Sequence, residues 1–271
     1  MPHPFVVGSR YRNRIGAYEV LQISGREMLI RYAATGQAVR TTVDIQARIW
    51  ENMKSEENPC PPSAREGARI VTLRNLQLGI RAWLDGTDWD RDFHNAFYSE
   101  LRQLKEAGGL SWDYIVQALS SWGALRPCSE YEILERGNPL VPELVEQWKA
   151  VLGAHDGCEP DLVVAQQPKL ICLFDVAKRI KGVDSPVFAS KLCHFLLPDA
   201  YPVIDNAQVG FEDDDYWTYW WRCAYGWQHC PDRDGMVAEL RKAIGVEPVT
   251  QFPWSSKISE LCHIGARHRP V

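Results

Sequence analysis

KRIKGVDSPVFASKLCHFLLPDAYPVIDNAQVGF, residues Lys178–Phe211, decides the fold. An apolar, helix-like run over Leu170–Ile180 meets Lys181-Gly182-Val183-Asp184, and Ser185-Pro186 then restarts a helix. Ser is a good N-cap, and the fixed φ of Pro suits the first helical turn. The second helix carries Phe188, Leu192, Phe195 and Leu196 on one face and stops before Pro198, which together with Pro202 forces an extended connector. That connector ends in Pro202-Val203-Ile204-Asp205-Asn206, a carboxylate placed where a further helix is expected to begin.

These residues resemble the helix-hairpin-helix superfamily of base-excision DNA glycosylases. The family signature is a Leu/Ile-x-Gly-Val-Gly hairpin, a second helix, and a Pro-Val-Asp-like step whose Asp is essential. Ile180-Lys181-Gly182-Val183-Asp184 and Pro202-Val203-Ile204-Asp205 stand in those places, with Asp184 where the hairpin has its second Gly. Members that also cut the strand carry a catalytic Lys nineteen residues before the Asp, and that position here is Pro186, which forms no Schiff base. The resemblance covers Leu170–Phe211 and the flanking helices only by pattern. It implies a glycosylase without lyase activity, with Asp205 as catalytic residue and no cofactor.

Chemistry supports that assignment of Asp205. Breaking an N-glycosidic bond builds positive charge on the deoxyribose, and a carboxylate beneath the sugar stabilises that cation or orients a water. The hairpin has a different task. Backbone N–H groups at Gly182, Val183 and Asp184, the helix N-terminus after Ser185, and the Lys181 side chain suit a phosphate of double-stranded DNA. An Asp that merely caps a helix is the competing reading, and the hairpin spacing is what weighs against it. Lys191 lies five residues past the family's lysine position and is not expected to be a nucleophile.

Composition bounds the answer. With 271 residues, 45% of them hydrophobic, and 11 Trp, the chain can bury a sizeable core as one large domain or two unequal ones. No apolar run approaches the roughly 18 residues that span a bilayer, and Met1-Pro2-His3-Pro4 lacks the regions of a signal peptide, so a cytoplasmic location is expected. The eight cysteines show no disulfide framework and are expected as reduced thiols. Net charge is −5, unfavourable for a phosphate-binding protein, but its distribution is uneven. Met1–Arg81 holds 12 Lys/Arg against 7 Asp/Glu, and both Lys178–Lys191 and the tail from Ser256 are locally basic. These basic segments are expected to share one DNA-facing side.

Residues 1–53 differ from the rest. Tyr18–Ile23, Glu27–Tyr32 and Ala38–Val43 are short, strand-like and separated by Ser24-Gly25 and Thr35-Gly36, which suggests a small SH3-like β-barrel. Its cations are all arginine, and Arg10, Arg12 and Arg14 are candidate DNA contacts because guanidinium binds phosphate bidentately. Residues 54–67, rich in Pro, read as a linker, and 68–271 as a helical body. Helices are expected from Ile70 to Leu84, across Phe93–Leu104, from Ser111 to Trp122, after Asn138-Pro139 to Gly153, and over Asp232–Ile244 and Ser255–Ile264. Leu125 or Arg126, at the turn after Trp122, is placed to wedge into DNA.

Phe211–Trp227 packs eight aromatic residues into 17 positions. Aromatic planes suit a flipped base, so Tyr216, Trp217 and Trp220, with Asp215 as a hydrogen-bond acceptor, are candidate pocket residues. The alternative is that the acids start a helix and the aromatics fill the core. Cys223 and Cys230 have the first spacing of an iron–sulfur motif, but position 233 is Arg, and Cys230, His229, Cys262 and His263 lack a zinc knuckle; no metal is expected. His194 and His263 sit in apolar company as core histidines.

The sequence therefore predicts a mainly α protein with a small N-terminal β-barrel: a monomeric, monofunctional DNA glycosylase that leaves an abasic site. Its aromatic and acidic richness extends the expectation to hypermodified phage bases and antiviral defence, by analogy only. The alternative is a non-catalytic nucleic-acid-binding protein that uses the hairpin and the Arg-rich barrel as backbone clamps.

Overall fold

The structure, a computed structural model, describes residues 5–13, 16–33, 35–47, 49, 61–84, 98, 111–155, 160–162, 167–181, 185–205, 216–245 and 252–267. The chain divides into two compact units, Met1–Cys60 and Pro61–Val271.

In the first unit, β1 (Arg10–Asn13), β2 (Gly16–Ser24), β3 (Glu27–Tyr32) and β4 (Ala38–Thr42) form an antiparallel meander in chain order. Alternation puts Tyr18, Val20, Met28, Ile30 and Tyr32 on one face, and Phe5 and Val43 complete that small core. The expected SH3-like barrel does not form. The sheet is open, with β1 and β4 at its two edges. A barrel needs an inward apolar face on every strand, whereas β4 buries none of its residues. Past Thr42 the chain turns helical over 43–47 instead of closing onto β1. There the Asn13 side-chain amide donates to Tyr32 Oη at 2.9 Å and to Gln46 Oε1 at 3.3 Å, a buried polar clasp at one end of the sheet.

The second unit is mainly helical. Within the stretch read as a linker, Pro62–Glu66 is a 3-10 helix that runs into α1 (Gly67–Ile70). The single helix expected from Ile70 to Leu84 is broken at Val71, and Thr72 Oγ accepts from Asn75 N to start α2 (Leu73–Leu84) afresh. Then follow α3 (Trp112–Ser121), α4 (Glu130–Gly137), α5 (Val141–Gly153), α6 (Gln167–Lys181) and α7 (Pro186–Leu196). The last are α8 (Tyr216–Gln228), α9 (Arg233–Ile244) and α10 (Trp254–Arg267). Apart from Tyr98, the helix expected over Phe93–Leu104 lies outside the described residues. None of the helices among the described residues is long and apolar enough to cross a membrane.

Local chemistry explains most boundaries. Ser111, Ser185 and Asp232 each accept a backbone N–H at a helix start, and a reciprocal Ser129–Glu132 capping box opens α4. Gly245 ends α9 in the left-handed region, at φ 73°. Helix α7 was expected to bury one face, yet every residue from Phe188 to Leu196 is buried. A helix enclosed on all sides lies at the centre of its unit rather than at its surface.

Helices α2 and α10 cross with their backbones almost touching. A Cβ on Gly79 would lie 1.9 Å from the Leu261 carbonyl oxygen, and one on Gly265 would lie 1.9 Å from that of Asn75. Neither oxygen can retreat without moving a helix. Gly265→Ala is therefore expected to cost about 2 kcal/mol or more, the range of overpacked cores. Gly153→Ala, whose Cβ meets nothing within 4 Å, is expected to gain a few tenths to about 1 kcal/mol. Urea denaturation of both variants checks the contrast.

Candidate functional site

Between α7 and α8, residues 197–205 cross the interior with no strand partner. Buried backbone polar groups need partners, and here side chains supply them. Six consecutive carbonyls, from Pro198 to Val203, each accept from a different side chain. Ser256 Oγ donates to Pro198 O at 2.7 Å, Ser255 Oγ to Asp199 O at 3.1 Å and Trp220 Nε1 to Ala200 O at 2.8 Å. With its proton on Nδ1, His194 donates to Tyr201 O at 2.8 Å, and the Tyr216 and Tyr219 hydroxyls donate to Pro202 O and Val203 O at 3.1 and 3.0 Å. The other His194 nitrogen, Nε2, then takes the Tyr98 hydroxyl.

The amides are held as closely. Val203 N donates to Glu260 Oε1 at 2.5 Å, and Ile204 N to Ser190 Oγ at 3.3 Å. Glu260 is itself buried, its charge matched by Lys257 Nζ at 2.8 Å on the same helix. Asp199 accepts from Ser255 N and Ser256 N at 2.9 and 3.2 Å, capping α10 from outside. Burial nonetheless raises the Asp199 carboxyl to about 6, the serine hydrogen bonds only partly opposing it.

Asp205 is the last described residue of this connector, and its side chain is 38% exposed. One of its oxygens lies 3.6 Å from the Lys191 amine, whose side chain is only 6% exposed. Lys191 reaches across from α7, donating to Trp122 O at 3.3 Å, with its amine 4.8 Å from the centre of the Trp122 ring. Desolvation lowers the pKa of this amine, and Asp205 opposes that shift. The same loop is held a second time, from α6. Lys181 Nζ donates to Ala124 O at 3.1 Å and to Arg126 O at 2.7 Å, and burial lowers its pKa as well.

The candidate residues are thus distributed unevenly. Asp205, Lys181 and Ser185 belong to elements that meet around α7, with Ser185 accepting from Phe188 N as its cap. Lys181, read as a phosphate contact, has its amine against loop carbonyls. Arg10 and Arg12 lie in β1 of the other unit. Gly182, Val183, Asp184, Arg14 and Asp215 lie outside the described residues. Tyr216 and Trp220, read as pocket residues, are buried and hold the connector, while Trp217 is half-buried, edge-on to Phe174, Tyr216 and Trp220. Of the wedge candidates, Leu125 is buried and Arg126 exposed.

Ser190, Asp199, Ser255, Ser256 and Glu260 escaped the sequence reading. For Ser190, Ser255, Ser256 and Glu260 the one signal is polarity within buried helices, and Asp199 lies in the connector itself. His263 is buried on α10 as expected, edge-on to Tyr219, and desolvation lowers its pKa to about 3. A histidine kept neutral in the fold but protonated in the unfolded chain loses stability as pH falls below about 6.5. The stability difference between the native protein and His263→Leu should shift by about 2 kcal/mol toward the variant from pH 7.5 to pH 5, measured by chemical denaturation. Taking the difference removes the contribution of Asp199, whose raised pKa works in the opposite sense between about pH 4 and 6.

No family model, curated protein or solved structure matches the chain.

Proposed function

We propose that this protein is a monofunctional DNA glycosylase, a cytoplasmic monomer that flips a modified base out of double-stranded DNA and hydrolyses its N-glycosidic bond. The observation that carries this reading is the setting of Asp205: a partly exposed carboxylate at the end of a rigidly bonded connector, beside a buried ammonium. It also stands where the glycosylase resemblance puts the essential acid, after the Ile180-Lys181-Gly182-Val183-Asp184 sequence and the α7 helix. In the reaction, water attacks C1′ as the base departs with the bonding electrons. Asp205 steadies the positive sugar and accepts the proton of the water. On this reading the backbone N–H groups of Gly182, Val183 and Asp184 and the N-terminus of α7 grip a phosphate, fixing the strand without reading its sequence.

One observation favours the non-catalytic alternative. Tyr216 and Trp220 spend their polar groups on the connector rather than facing a ligand. A backbone clamp needs no base pocket, and it tolerates loss of Asp205.

The deciding experiment incubates the protein with duplexes carrying uracil, alkylated bases, oxidised purines or glucosylated hydroxymethylcytosine, then reveals abasic sites with alkali. Excision from at least one duplex is expected. Asp205→Asn should lower single-turnover excision by about 100-fold or more while leaving DNA affinity within a few-fold. Binding without excision from any duplex would select the clamp.

A further inference from the structure

Helix α7 grips the connector at two successive points. Ser190 accepts from Ile204 N, and the next residue, Lys191, meets the carboxylate of the next connector residue, Asp205. Ser190 is in turn tied to its own helix, donating to Val187 O at 3.0 Å. Lys191 is tied to the loop after α3 through the Trp122 carbonyl and ring. An ammonium held on one side by a carbonyl and an aromatic face keeps its position whatever the carboxylate does, so it can set where that carboxylate lies.

We propose that Lys191 is the positioning residue for Asp205, its fixed ammonium orienting the carboxylate for attack on the sugar without itself reacting. This rests on the glycosylase reading. A nucleophilic amine needs a free electron pair, whereas an amine paired with a carboxylate and donating to a carbonyl is held as the ammonium. Burial lowers the pKa of Lys191, and the neighbouring ammonium groups of Lys181 on α6 and Lys257 on α10 act in the same direction. Asp205 opposes them by charge and by hydrogen bond. Removing the cation takes away the charge that faces the carboxylate 3.6 Å away. Displacement of a reacting group by about 1 Å costs on the order of 100-fold in rate.

The test uses the full chain. Lys191→Met should lower the single-turnover excision rate by about 10- to 100-fold, with DNA affinity changed by less than about 2-fold. Lys191→Cys should be equally slow and recover after aminoethylation, which rebuilds an ammonium at nearly the same reach, with wild-type protein treated alike as control. Borohydride should trap no adduct during excision. A trapped adduct that disappears in Lys191→Met, or excision by Lys191→Met at the native rate, overturns the proposal. Should the 191 variants fail to fold, NMR titration of the Lys191 amine in the native protein and in Asp205→Asn still decides, since removing the carboxylate must lower the pKa of the amine. An unchanged titration overturns the pairing even in the absence of any excision. Failure of the glycosylase reading itself shows separately, as no abasic site on any duplex.

Discussion

A connector buried away from any sheet has no ladder to satisfy its carbonyls, and each one left unbonded costs about 1–3 kcal/mol. Residues 198–203 face that cost at every carbonyl, and the second unit offsets it one side chain at a time. Ser255 and Ser256 come from α10, Tyr216, Tyr219 and Trp220 from α8, and His194 from α7. Three helices are thereby locked to one connector. The close α2–α10 crossing belongs to the same arrangement, because α10 also supplies the Glu260 that holds Val203 N.

Such a connector trades ease of folding for placement. Burying the Lys257–Glu260 pair is not the cheapest way to stabilise a core, since apolar residues of similar volume often do as well or better. What the pair adds is direction: Glu260 Oε1 fixes the Val203 amide, two residues before Asp205. The next amide is fixed by Ser190 and the carboxylate itself faces Lys191, so the support continues up to the exposed acid.

Much of this arrangement was legible in the sequence, and the failures have physical causes. The α6–α7 pair and its Ser185 cap follow from local rules that tertiary contacts did not override, whereas the path between Pro198 and Pro202, expected to be extended, begins as a turn in which Ala200 N and Tyr201 N both donate to Leu197 O. The barrel did not form, because strand propensity speaks for each strand but not for closure, and the polar character of β4 decides closure. Within the aromatic run, the sequence leaves a pocket role for Tyr216, Trp217 and Trp220 open beside a core role, because aromatic density looks alike in a pocket and in a core. The difference lies in where each O–H and N–H points, and for Tyr216, Tyr219 and Trp220 the acceptors are carbonyls 14 to 20 residues away in sequence. Periodicity carries no information at that range. Glu260 and Ser190 were missed for the same reason, each being a polar residue on a buried helix whose partner lies on another element.

The spent polar groups of α8 bear on how a base would be held under the proposed function. Tyr216, Tyr219 and Trp220 cannot release their carbonyls to bind a ligand without orphaning buried acceptors, so recognition through their hydroxyl and indole groups would compete with the integrity of the connector. Trp122 is placed differently. It is half-buried, stacked on Phe195 at 5.1 Å, and its ring shares Lys191 with Asp205. An aromatic plane and a carboxylate that both meet one ammonium form a compact group in which stacking and charge stabilisation are coupled through a single side chain. On that geometry, the turn after α3 rather than α8 supplies the aromatic surface that belongs to the acid, and Lys181, by clamping Ala124 and Arg126, sets how firmly that turn is held.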